Sequence, residues 1–141
     1  MEQKNIVITG GNIGIGLETA KGLYADGHVI IFGSRNEQRN IEAADIIAKS
    51  APNSKGNITS FKLDLSKRAS IEAFAKEVQG QFGHIDILIN NAGMIMNERQ
   101  VNDWGVEMTM AVNHFGHFLL TYLLFPLVAK AKEGRIINVS S

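Results

Sequence analysis

The residues with the clearest chemical potential come early. Thr9-Gly10-Gly11-Asn12-Ile13-Gly14-Ile15-Gly16 closes an apolar, β-branched run and leads straight into a helical pattern. Glycines at such a junction allow a tight turn, close approach of backbone to a ligand, and close packing of helix on sheet. The helix that starts there presents unpaired N–H groups and the positive end of its dipole, a natural seat for phosphate. A glycine-rich string alone is weak, and a turn without a ligand is its alternative reading. Its place in the first βαβ unit makes nucleotide binding the expected chemistry.

A second signal lies about 20 residues on, where a dinucleotide fold declares its ribose preference. Gly33-Ser34-Arg35-Asn36 stands there, with no acid before Glu37 to take a free 2′-OH. Arg35 can grip a 2′-phosphate with its fork and Ser34 can donate a hydrogen bond to it, with Arg39 competing for the same phosphate. NADP(H) is therefore expected over NAD(H). His114 and His117 have a spacing seen in metal sites, but no third ligand cluster accompanies them. Packing and helix hydrogen bonding are their expected roles, and no metal site is predicted.

The elements that must position these residues alternate along the chain. Short β-branched runs predict strands over Asn5–Thr9, His28–Phe32, Asn57–Leu63, Ile85–Asn90 and Arg135–Val139. Helical spacing joins Leu17, Ala20, Lys21 and Leu23, then Ile71, Phe74, Ala75, Val78 and Phe82, then Met108, Ala111, Val112, Phe115, Leu119 and Tyr122. Ser66 and Asn102 are the expected N-caps of the last two. Apolar strands alternating with helices call for a doubly wound parallel sheet, ordered 3-2-1-4-5 and cut short after the fifth strand. The polar stretch 50–56 joins a helix to a strand without dividing domains.

Composition narrows the function classes. The chain has 141 residues, with 14 basic against 14 acidic, so no cationic excess exists to hold nucleic acid. It has no cysteine, which removes disulfide scaffolds, thiolate metal sites and cysteine nucleophiles. The apolar run 115–129 is broken by His117, Thr121 and Pro126 and is shorter than the roughly 20 residues of a membrane span, so none is expected. The cytoplasm is the default address, with an organelle matrix or peripheral membrane association left open.

Thr9-Gly10-x-x-x-Gly14-x-Gly16 departs from the commoner dinucleotide fingerprint and resembles the short-chain dehydrogenase/reductase family. Four more segments resemble that family in order: Asp64-Leu65, Asn90-Asn91-Ala92-Gly93, Val112-Asn113-His114-Phe115-Gly116 and Asn138-Val139-Ser140-Ser141. The resemblance spans essentially the whole chain. The wording of 112–121 is particularly similar to the retinol-dehydrogenase-like branch.

The resemblance implies a Rossmann-type NAD(P)-binding domain over 1–141, incomplete at its C-terminal side. It implies hydride transfer between a nicotinamide and an alcohol or carbonyl, assisted by Tyr as acid/base, Lys, Ser and Asn. Asn113 matches the Asn, which holds a relay water, and Ser141 matches the Ser, with Ser140 a weaker register. Asp64 and Leu65 would flank the adenine, with a helix cap or local turn as the other role for Asp64. Asn91, Ala92 and Gly93 would line the nucleotide, and holding two strands together is the alternative role of Asn90-Asn91.

The family's Tyr-x-x-x-Lys has no match: His28 follows Tyr24 at that spacing and Pro126 follows Tyr122. The expectation is thus the cofactor-binding half of an enzyme, inactive by itself. A truncated remnant, or a scaffold or nucleotide-binding subunit completed by partner chains, are the alternatives. A lipophilic alcohol, aldehyde or ketone is the expected substrate, with Met94 or Met96 as candidate lining or simple core filler. A homo-oligomer built through the long helix fits a complete chain. An open fifth strand and an apolar face on that helix are further expectations.

Overall fold

The computed structural model describes residues 2–140. Five strands, β1 (Asn5–Thr9), β2 (Val29–Ser34), β3 (Asn57–Lys62), β4 (Ile87–Asn90) and β5 (Arg135–Asn138), form one sheet ordered β3-β2-β1-β4-β5. Every pairing is parallel, as the apolar runs require. The crossovers are α1 (Gly14–Ala25), α2 (Glu37–Ser50), α3 (Arg68–Gln81) and α4 (Met108–Ala129).

Alternation along each strand splits the core in two. Val7, Ile31 and Leu88 face α3 and α4, joined by Phe74, Val78, Leu120 and Leu124. Ile6, Ile8, Ile30 and Phe32 face the other way and pack with Ala20, Ala43 and Ile47. Each of these strand side chains is fully buried, so each contributes about 1.5–3 kcal/mol of transfer free energy. That term fixes the register, because a slip of one residue would turn every side chain to the wrong helix layer.

Local expectations needed four corrections. The buried line of α1 is Gly16, Ala20 and Tyr24, while Lys21 sits at its margin. Ser66 does not cap α3: the cap position is Lys67, without a side-chain bond, and the Ser66 hydroxyl donates to Asp64 Oδ1 at 2.6 Å. Asn102 does not start α4 either. Its Oδ1 accepts from Trp104 N and Val106 N, organising a turn, and Glu107 caps the helix by accepting from Thr109 N and Met110 N. Trp104 packs as an anchor against the α3/α4 core.

The fourth correction is the phase of α4. Residues Ala111–Phe115 form a π-helical turn, closed by Gly116 N donating to Ala111 O. The extra residue in that turn rotates everything beyond it. Leu120, Leu124, Leu127 and Val128 are therefore buried, while Phe115 and Tyr122, expected inside, are exposed. The continuous helix is 22 residues long, apolar enough by composition to cross a membrane and longer than the run 115–129 suggested. Here it packs on α3 and the sheet.

Candidate nucleotide cleft and its neighbouring cavity

The chain runs outward from β1 to β2 and β3, and α3 then carries it back across to β4 on the other side of β1, so the crevice at this switch point opens at the carboxyl ends of the strands. A cleft of about 480 Å³ occupies it. Four segments and Val112 line it: Gly10 with Asn12–Gly16, then Gly33–Asn36 with Arg39, then Leu63–Leu65, then Asn91–Met94. Thus Gly10, Asn12, Ile13, Gly14, Ile15, Gly16, Ser34, Arg35, Asn36, Asp64, Leu65, Asn91, Ala92 and Gly93 converge on one cavity from distant stretches of sequence.

The glycine turn has the shape its spacing suggested. Gly14 has φ +56°, and a Cβ built there meets nothing within 4 Å, so conformation rather than crowding demands glycine. Gly16 is the reverse case: a Cβ would lie 2.2 Å from Gly10 O and 2.5 Å from Asn91 Nδ2. No side chain caps α1 and its first turn has no acid, so its N–H groups are left for an anion.

Thr9 sits beneath the cleft rather than in it. It is fully buried, and its Oγ1 accepts from Asn91 N and Ala92 N, each at 2.9 Å. Asn91 Nδ2 returns a bond to Thr9 O, which ties the turn after β4 to the end of β1. Asn90 holds β4 to its neighbours, donating to Thr121 Oγ1 and Asn138 Oδ1. Asn90 therefore holds strands, while Asn91 both ties β4 to β1 and lines the cleft.

At the other end of the cleft two expectations shift. The Ser34 hydroxyl donates to Asn40 Oδ1, so its proton is already engaged. Asn36 Oδ1 accepts from Arg39 N as the cap of α2. The charge here comes from Arg35 and Arg39, joined by Lys62 across a hollow of about 560 Å³ that also touches Glu37. Sequence reasoning missed Lys62, whose signal is register: Ser34 and Lys62 are paired across the parallel ends of β2 and β3. It also missed Asn40, buried, whose Nδ2 donates to Ser34 O and Phe61 O. Asp64 does local work, accepting from Ser66 N and Ser66 Oγ through Oδ1, while still lining the cleft.

A second cavity, about 780 Å³, shares Ile15 and Asn91–Gly93 with the first and continues past Asn113, His117, Asn138 and Ser140. The Asn113 amide is anchored on one residue: Nδ2 donates to Met94 O at 2.8 Å and Oδ1 accepts from Met94 N at 2.9 Å. Ser141 lies outside the described residues, and Ser140 lines the cavity.

His117 is buried at its wall, with Nε2 2.8 Å from Thr9 Oγ1 and Nδ1 3.2 Å from Asn113 O. Burial lowers its pKa below the ordinary histidine value, partly offset by the Asn113 carbonyl. Both ring nitrogens are thus in use. The expected packing and helix hydrogen bonding of His117 are both present, and the bond to Thr9 adds to them.

A parallel 3-2-1-4-5 sheet with a glycine turn at its switch point defines the class, an α/β protein of the Rossmann type. The family model described as short chain dehydrogenase matches residues 4–141, and the chain belongs to that family. Retinol dehydrogenase 11 of Homo sapiens is 42% identical over 140 residues, covering 98% of this chain and 43% of that protein. The chain therefore spans less than half the length of this relative. Among solved structures, menthone neomenthol reductase from Mentha piperita superposes with a TM-score of 0.84 at 28% identity, covering 100% of this chain and 61% of that one. An alcohol dehydrogenase from Thermococcus sibiricus, complexed with 5-hydroxy-NADP, gives 0.76 at 28% identity, covering 90% and 54%.

Proposed function

We propose that this chain is the cofactor-binding part of an NADP(H)-dependent oxidoreductase that interconverts an alcohol and a carbonyl. The observation that carries the reading is a cleft around a glycine-cradled helix start that shares Arg35 and Arg39 with an adjoining hollow also lined by Lys62. The donor set fits the cofactor. Backbone N–H groups of α1 suit its pyrophosphate, and the cationic hollow suits a 2′-phosphate. Gly16 leaves backbone where any side chain would intrude.

The nicotinamide supplies the hydride chemistry when bound. The residues of this chain bind and orient. Asp64 and Leu65 flank the adenine, and Asn91, Ala92 and Gly93 let backbone pass close to the nucleotide. Asn113 lines the second cavity, and Ser141 is the residue that would hold a substrate oxygen. Ile15 and Phe118 give that cavity apolar wall, which suits a lipophilic alcohol, aldehyde or ketone.

The Tyr and Lys of the family would come from further chain. The length of the relatives supports this. Phe118, Tyr122 and Phe125 are 68%, 70% and 56% exposed along α4, and β5 is an open edge. In the complete protein further chain or a second copy covers these faces.

The test is titration of the complete protein with NADPH and NADH, beside an Arg35→Asp variant. Loss of a charge-assisted bond of about 1.5–3 kcal/mol lowers the NADPH-to-NADH affinity ratio roughly 10- to 100-fold. An unchanged ratio overturns the cofactor assignment. Tight NADPH binding without turnover on any carbonyl or alcohol would favour a nucleotide-binding subunit instead.

A further inference from the structure

Thr9, His117 and Asn113 form a chain of hydrogen bonds whose direction is fixed by counting protons. A threonine hydroxyl has one proton and two lone pairs. Asn91 N and Ala92 N are obligate donors and take both lone pairs of Thr9 Oγ1. The remaining proton must go to the third neighbour, His117 Nε2, at 2.8 Å. Nε2 is then an acceptor, so Nδ1 carries the ring proton and donates to Asn113 O at 3.2 Å. The opposite tautomer would crowd a third donor onto Thr9 and turn a bare nitrogen toward a carbonyl. One arrangement satisfies every atom.

The chain joins the two cavities. Its first end is the Asn91–Ala92 backbone, which lines the nucleotide cleft. Its other end is the carbonyl of Asn113, inside the π-helical turn. The Asn113 side chain is held separately, by Met94. The carbonyl and the side chain thus have different anchors, and His117 is the anchor of the carbonyl.

We propose that His117 is a positioning residue, an imidazole with its proton on Nδ1 that couples the turn under the nucleotide, through Thr9, to the Asn113 carbonyl. The coupling stands on geometry alone, and its kinetic consequence rests on the oxidoreductase reading above. Neither role needs the imidazole to touch a substrate or to transfer a proton. It must only hold two backbone groups in one relative position.

Two near-isosteres separate the arms. His117→Asn keeps a donor where Nδ1 stands and loses the acceptor for Thr9. His117→Gln keeps an acceptor within reach of Thr9 and loses the donor to Asn113. In the complete protein, His117→Gln should hold NADPH within about twofold of wild type while kcat falls about tenfold. His117→Asn should weaken NADPH about five- to tenfold with kcat changed less than threefold. A merely structural histidine would move Kd and kcat together in both variants, and that result overturns the proposal. The ¹⁵N shifts of the His117 imidazole, read without nucleotide, should show a protonated Nδ1 and a bare Nε2. The reverse assignment overturns it equally. If wild type binds NADPH but turns nothing over, the oxidoreductase reading fails, while the tautomer and the Kd of His117→Asn still decide the coupling.

Discussion

Replacing Thr9 by Val removes one hydroxyl and almost no volume, so it isolates what that hydroxyl holds. Three groups lose their partner at once: the Asn91 and Ala92 N–H groups and the His117 imidazole. Thr9 is 0% exposed and His117 7%, so water cannot readily replace the lost bonds. A buried polar group left unsatisfied costs about 1–3 kcal/mol. The three are not independent, because two belong to one turn and Asn91 keeps its bond to Thr9 O. We therefore expect a loss of roughly 3–6 kcal/mol, the lower half of the range for three isolated groups. Against a typical total stability of about 5–15 kcal/mol this is a large fraction. Urea unfolding of Thr9→Val beside Thr9→Ser would measure it. Serine keeps the hydroxyl and sacrifices only a methyl, about 1 kcal/mol. If Val is as well tolerated as Ser, the hydroxyl does not anchor the turn, and the directional argument for His117 loses its first link.

Two further outcomes follow from the same geometry. Gly16→Ala places a Cβ 2.2 Å from Gly10 O and 2.5 Å from Asn91 Nδ2, so the cradle must shift. The variant should lose about 1–3 kcal/mol of stability and at least tenfold in nucleotide affinity, and wild-type affinity in a titration would show that the cradle is not where the nucleotide sits. The second concerns pH. Burial depresses the His117 pKa in the folded protein, whereas the unfolded chain titrates near the ordinary value of about 6.5. Above that pH the ring is neutral in both states and stability is fully present. As pH falls below it, the unfolded state takes a proton that the folded state resists, so stability declines. His117→Gln should flatten this part of the stability profile. An identical slope in the variant would assign the acid sensitivity to other groups.

The centre of the sheet was legible because β1, β2 and β4 are buried on both faces. Ile6–Ile8, Ile30–Phe32 and Leu88–Ile89 form unbroken apolar runs, and each is followed by a helix-spaced segment. Strand ends were less legible. His28 and Leu63 were placed inside strands, yet the ladder starts at Val29 and stops at Lys62. The cleft residues were legible for another reason: each lies at or just beyond the carboxyl end of a strand, and parallel order brings those ends together. Three things were hidden. The π turn of α4 leaves no mark in periodicity, since Val112–Phe115 reads equally well as ordinary helix, so the buried face came out one residue wrong. Lys62 joins Arg35 only through the register of β2 with β3. The position of Thr9 depends on a neighbour 108 residues away.

These hidden features share a cause that bears on how the site is held. Apolar burial positions strands and helices well but is indifferent to the orientation of a peptide group, because it is not directional. The cleft needs orientation: amides of Asn91 and Ala92 set in place, a loop end at Ser34 held open, a carbonyl of Asn113 fixed in a helix. The buried polar side chains meet that need where the sheet ends. Thr9 sets the amides, Asn40 ties Ser34 O to Phe61 O, and Asn90 and His117 brace β4 and α4. Each such group stabilises only while its partners remain in place. The rigidity of the cleft therefore comes from a few directional bonds laid over an apolar frame. Removing one of those bonds should disturb binding out of proportion to the area it buries, whereas trimming the apolar core should lower stability and leave the shape of the cleft intact.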